Sequence, residues 1–91
     1  MGNISRGLTR TQYTLFSYMA VSLYNAKRAL GQRIRTLRLR DSISQEDLAY
    51  KAGVERSYMG RIERGEGNPS FKKIVDIANA LKVTPKELLF E

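Results

Sequence analysis

Ten consecutive residues, Glu55 to Arg64, hold guanidinium groups at positions 56, 61 and 64 beside the hydroxyl of Ser57 and the phenol of Tyr58. At helical spacing Met59 and Ile62 share one apolar side, which leaves Glu55, Arg56, Ser57, Tyr58, Gly60, Arg61 and Arg64 facing outward. A guanidinium is a planar fork of donors that matches guanine O6 and N7, or a phosphate, in bidentate fashion. Such a face is cationic, hydrogen-bonding and about as wide as the major groove of a duplex. The composition leans the same way. Sixteen Lys and Arg against nine Asp and Glu leave +7 on 91 residues, a balance that favours a polyanionic partner, either nucleic acid or the acidic face of a membrane. With no cysteine there are no disulfides, thiolate ligands or thiol nucleophiles, and with no histidine the commonest general base and metal ligand is missing. The remaining carboxylates and lysines show no pairing that suggests acid–base work, so neither an enzyme nor a cofactor is expected.

These residues need a frame, and 91 residues supply one compact domain with a short appendage. At 42% hydrophobic and 27% charged residues the chain is foldable rather than disordered by composition. From Leu30 onward the pattern predicts an all-α domain of five short helices, with no strand pattern and no repeat. Leu30, Ile34 and Leu37 make one helical face, and Asp41-Ser42-Ile43 interrupts it. Ser44 is an N-cap with Asp47 at N3, and the helix from Gln45 to Ala52 stops at Gly53, the residue suited to a left-handed C′ position. A third helix fits Glu55 to Arg64 and closes at Gly65 and Gly67. Ser70 caps a helix carrying Ile74, Val75, Ile77, Ala78 and Leu81. Thr84-Pro85-Lys86-Glu87 combines an N-cap, a proline at N1 and a glutamate at N3 to launch a last turn with Leu88, Leu89 and Phe90. The joint at Gly53-Val54 is so short that the two helices beside it must cross steeply, with Leu48, Ala52, Val54, Met59 and Ile62 filling the corner.

Residues 1–28 form a different regime. They carry Arg6, Arg10, Lys27 and Arg28 and no acid, whereas residues 29–91 hold the other twelve bases and all nine acids. The apolar run from Tyr13 to Tyr24 is about 12 residues, short of the roughly 20 that cross a membrane. A basic start followed by a short apolar stretch imitates a secretory signal, but Ala20-Val21-Ser22 lies inside the apolar run and is a poor cleavage site. The expectation is an additional amphipathic helix that packs on the following domain or on a second subunit; a third reading makes Met19 an alternative start and part of the extension dispensable. Tyr13, Tyr18, Tyr24 and Tyr50 read as core or interface residues rather than base-stacking platforms.

The segments Ser-Gln-Glu-Asp-Leu-Ala (44–49), Ala-Gly-Val (52–54), Ile-Glu-Arg-Gly (62–65), Asn-Pro-Ser (68–70) and Ile-Ala-Asn-Ala-Leu-Lys-Val-Thr (77–84), in this order, resemble the helix-turn-helix of the phage-repressor (Cro/Xre) regulators. The resemblance runs from about Leu30 to Phe90, and the extension lies outside it. It implies a cytoplasmic regulator that binds double-stranded DNA with the helix at 55–64 in the major groove. Arg56, Ser57 and Arg61 then face base edges, flanked by Glu55 and Tyr58. Gln45, at the start of the preceding helix, meets a phosphate, and Asn68, Ser70 and Lys72 surround a second anion site. Arg33, Arg35 and Arg40 add non-specific attraction. Arg38 and Glu63 are implied to be a buried structural pair. The small size resembles restriction–modification controller proteins and short phage repressors, which implies a homodimer on a palindromic operator with no small-molecule ligand and no membrane. The alternative is a protein-interaction adaptor or antitoxin built on the same helices.

Overall fold

The computed structural model describes residues 9–90, apart from the side chains of 16–21. Five helices follow one another: α1 (Arg10–Arg40), α2 (Gln45–Ala52), α3 (Arg56–Glu63), α4 (Phe71–Ala80) and α5 (Pro85–Phe90). The expected all-α class holds, and the described residues contain no strand.

Local chemistry sets most of the boundaries. Ser44 Oγ accepts from Asp47 N–H at 2.9 Å and Ser70 Oγ from Lys73 N–H at 3.2 Å, so α2 and α4 start at their caps. Thr84 and Glu87 exchange bonds in a reciprocal capping box, Glu87 Oε2 accepting from Thr84 N–H at 3.0 Å. Gly53 (φ 67°) and Gly65 (φ 79°) take the left-handed conformation that ends α2 and turns the chain after α3.

The extension and the first domain helix are one continuous element. The sequence places an additional helix before Leu30, but no proline or capping glycine separates the two. α1 runs for 31 residues from a capping box in which Thr9 Oγ1 accepts from Gln12 N–H and Gln12 Oε1 from Thr9 N–H. Gly31, inside it, is needed for packing: a Cβ there would collide with the carbonyl oxygens of Ile62 and Glu63 at the end of α3.

The core is formed by Leu30, Ile34 and Leu37 of α1 with Leu48, Ala49 and Ala52 of α2, Met59 and Ile62 of α3, and Ile74, Ile77, Ala78, Leu81 and Leu88 beyond. α4 packs on α2, α3 on α1 and α2, and α5 closes against α4 and α1. The N-terminal half of α1 projects from this bundle and gives the molecule extents of 50 × 23 × 19 Å. Its described side chains before Leu30 are exposed, except for half-buried Ser22 and Lys27. The expected packing of the extension on the following domain is therefore not found. Arg6, and the side chains of Tyr18, Met19, Ala20 and Val21 on which the signal and start-site readings turn, lie outside the described residues. Among the described residues no helix is long and apolar enough to cross a membrane.

Candidate nucleic-acid interface

The corner between α2 and α3 is fixed from three sides. Val54 N–H returns to Ala49 C=O at 2.9 Å across the left-handed Gly53. Lys73 of α4 donates its ammonium to Gly53 C=O at 2.8 Å. Beneath, Ala49 and Ala52 are small and buried, so Met59 and Ile62 of α3 come down close onto α2.

A buried polar cluster sets the angle of α3 to α1. Arg38 donates Nε and Nη2 to the two oxygens of Glu63 at 2.7 and 2.9 Å, and Nη1 to Ile43 C=O at 3.0 Å. The two side chains are 9% and 3% exposed, so the pair is desolvated and must be saturated to be tolerated. Gln45 completes it, its Nε2 donating to Glu63 Oε1 at 3.0 Å. The hydrogen bonds to Glu63, opposed by burial, raise the Arg38 pKa above its already high value. Among the described residues no buried side-chain polar atom lacks a partner. The pair implied for Arg38 and Glu63 is present, and Gln45, implied to meet a phosphate, also holds Glu63. Its amide nitrogen is the group engaged, and of the first-turn N–H groups of α2 that of Asp47 is taken by Ser44 Oγ.

Outward, α3 presents Arg56, Ser57 and Arg61, all exposed, with Glu55 exposed at its N-cap and making no side-chain cap bond. Tyr58 does not stand free beside them. It is half-buried against the core, its hydroxyl accepts from Asn68 N–H at 3.2 Å, and its ring lies 5.7 Å from the Arg61 guanidinium. It therefore touches both an outward-facing arginine and the loop before α4. A groove lined by Gln45, Arg56, Ser57, Gly60 and Arg64 runs between α2 and α3. Arg64, outward in the sequence pattern but given no base or phosphate there, joins Ser57 and Arg61 on this face and pairs loosely with Glu66 at 3.3 Å. Its signal is a glycine inside a helix: a Cβ on Gly60 would lie 3.3 Å from Arg64 Nη1 and 3.4 Å from Gln45 Oε1, so the bare backbone forms the groove floor.

Asn68 and Ser70 sit exposed before α4, and Lys72, 80% exposed, pairs with Asp76 at 3.0 Å. So open a pair is weak and leaves the ammonium able to exchange partners. Arg33 and Arg40 serve the bundle itself: Arg33 Nε donates to Glu87 C=O at 3.1 Å, and Arg40 forms a bidentate pair with Asp41 at 2.8 and 3.0 Å. Arg35 is exposed.

Comparison with known proteins agrees with this geometry. Residues 29–89 match the family model described as "Helix-turn-helix domain". The control protein C.BamHI of Bacillus amyloliquefaciens is 42% identical over 66 residues, covering 71% of this chain and 82% of that protein. The regulator SinR of Bacillus subtilis is 40% identical over 63 residues, 68% of this chain and 57% of its own length. The crystal structure of the restriction–modification controller protein C.AhdI from Aeromonas hydrophila superposes with a TM-score of 0.66 at 46% identity, covering 67% of this chain and 92% of that one. With the glycine corner, the crossing helices and the buried Arg38–Glu63 pair all in register, the chain belongs to the helix-turn-helix family of transcriptional regulators.

Proposed function

We propose that this protein is a sequence-specific regulator that docks α3 in the major groove of double-stranded DNA and acts as a homodimer on a palindromic operator. Residues 29–91 are the DNA-binding unit and residues 1–28 an appended segment; the work is cytoplasmic, where the DNA is. Arg56, Ser57 and Arg61 read base edges, and Glu55, Tyr58 and Arg64 border them. Phosphates are met by Gln45 and the first-turn amides of α2, and by Asn68, Ser70 and Lys72 ahead of α4. One observation carries the reading: two exposed guanidinium groups and a hydroxyl stand on one helix, with a third guanidinium at its C-cap, and the helix angle is locked by a buried, saturated ion pair. A single recognition helix discriminates modestly, so two copies on adjacent half-sites are needed for an operator to stand out in a genome.

Selection of bound duplexes from a random pool tests this. The expected product is a two-fold symmetric sequence whose half-sites lie about one helical turn apart. Recovery of unrelated sequences, with a binding constant insensitive to salt, would reject DNA reading and favour a protein partner.

A further inference from the structure

Along α1 a 3–4 spacing picks out Tyr13, Phe16, Ala20, Leu23, Leu30, Ile34 and Leu37, apolar residues interrupted by Lys27. From Leu30 onward this seam is the core, with those residues 7%, 0% and 5% exposed. Before it the same face is open: Tyr13 is 46%, Leu23 64% and the adjacent Tyr24 60% exposed. The change comes at Lys27-Arg28, where the turn after α3 reaches α1, so close that a Cβ on Gly65 would lie 3.0 Å from Arg28 Cα. One heptad seam is thus filled by its own bundle over one half and, at its described positions Tyr13 and Leu23, left uncovered over the other.

We infer that the uncovered half of this seam, residues 13–27, is a self-association face that pairs antiparallel with the same segment of a second copy, its two-fold axis passing near Ala20. Three observations favour that occupant. Residues 11–26 carry no charge, so that stretch has no cation to offer to a phosphate backbone or to lipid headgroups, and the cations of two paired copies, Arg10, Lys27 and Arg28, stay at its two ends. The antiparallel sense keeps the two copies of Lys27, the only charge on the uncovered seam, apart and sets each beside Tyr13 of the other copy; the parallel sense would stack Lys27 on Lys27. A tyrosine carries about 150–250 Å² of buriable surface, so Tyr13 and Tyr24 of two copies alone contribute roughly 400 Å². Leu23 of the two copies adds to this, in the range of a small interface.

The dimension also fits. The point where α3 abuts α1 is Gly31. With the axis at residue 20, the two such points are separated by 22 residues of helix, about 33 Å at ~1.5 Å per residue. Adjacent major-groove half-sites lie about 34–36 Å apart. Only this spacing rests on the DNA-binding reading; the pairing itself does not.

The chain has no native cysteine, so cross-linking gives a direct test. In the full-length protein, Ala20→Cys should form a covalent dimer on mild oxidation. Tyr13→Cys mixed with Lys27→Cys should cross-link to each other, while each alone should not. Cross-linking of Tyr13→Cys to itself would mean parallel pairing and overturn the inference. Leu23→Glu, on an exposed position outside the bundle, should leave the melting temperature unchanged and weaken dimerisation in sedimentation at least tenfold. Tyr24→Glu is the second variant if the first does not fold. A dimer unaffected by either substitution would assign the contact to α5, and a monomer that binds phosphatidylcholine vesicles would assign the seam to a bilayer; both overturn it. Cross-linked dimers that select no duplex would defeat the DNA reading alone, and operator binding without the expected cross-links would defeat the pairing alone.

Discussion

At the scale of single residues, the arginines and glutamates on and around α3 divide into those that hold the helix and those that face outward. Glu63 accepts three hydrogen bonds in a nearly dry site, two from Arg38 and one from Gln45. Glu63→Ala leaves the Arg38 guanidinium buried without its counter-ion, a loss of about 3–5 kcal/mol. For a domain of this length that lowers the melting point by well over 10 °C, at roughly 4–8 °C per kcal/mol. Arg61→Ala touches only solvent and the Tyr58 ring, so it should melt within about 2–3 °C of the native chain while losing about 1–3 kcal/mol of discrimination at one base pair. Calorimetry and binding to a panel of single-base operator variants measure both, and equal melting points would refute the division. Tyr58→Phe separates two further roles. It keeps the ring beneath Arg61 but removes the acceptor for Asn68 N–H, so base preference should survive while affinity falls on all sequences alike. A changed base preference would show that the hydroxyl itself reads a base. Neither the Gln45 nor the Tyr58 role was legible in the sequence. Each depends on a partner, Glu63 or Asn68, that only the steep corner brings near.

At the scale of elements, what could be read early were the helix ends whose chemistry is local. Ser44, Gly53, Ser70 and the Thr84–Glu87 box act within three or four residues, and all stand where the spacing puts them. The start of α1 had the same kind of signature in Thr9 and Gln12, but the composition shift near Leu30 masked it, and a change in apolar density is no helix terminator. The face left open on α1 was not legible for a different reason: periodicity tells which residues share a side, not whether the bundle is long enough to cover it. The α5 cap has a measurable consequence. The N–H and hydroxyl of Thr84 hold the Glu87 carboxyl below its ordinary value of 4.5. A carboxylate depressed in the folded state contributes stability that is complete above the ordinary value and fades as pH falls through the lower folded one. Between about pH 6 and about pH 3, amide exchange in α5 should accelerate relative to α2. Glu87→Gln, which keeps an acceptor but cannot titrate, should remove that acceleration. Equal acid sensitivity of α5 in both proteins would place the loosening elsewhere, in the Arg40–Asp41 pair, whose carboxyl is lowered in the same direction.

At the scale of the whole molecule, the +7 charge is divided between two places, the α3 face and the projecting half of α1. The bundle carries arginines on the α3 face, while Arg10 and Arg28 sit on α1 outside the 13–27 seam, and neither has an acid nearby in residues 1–28. If the projecting half of α1 lay along DNA, it would act as a basic arm and its charges would enter the salt dependence of binding. If it joins two copies, they would not. The two cases differ by a measurable amount, because each phosphate contact contributes about 0.9 to the slope of log affinity against log salt. Arg10→Gln combined with Arg28→Gln removes two charges, and the second substitution keeps much of the aliphatic stem that packs beside Gly65. The slope for operator binding should then change by less than about 0.5, whereas an arm on the phosphates would lose about 1.8. Arg64→Gln, one charge on the α3 face, should flatten the slope by about 0.9 in the same titration and serves as the internal standard. A flat response to Arg64→Gln and a steep one to the α1 pair would reverse the polarity of the molecule, making the projecting helix its nucleic-acid contact.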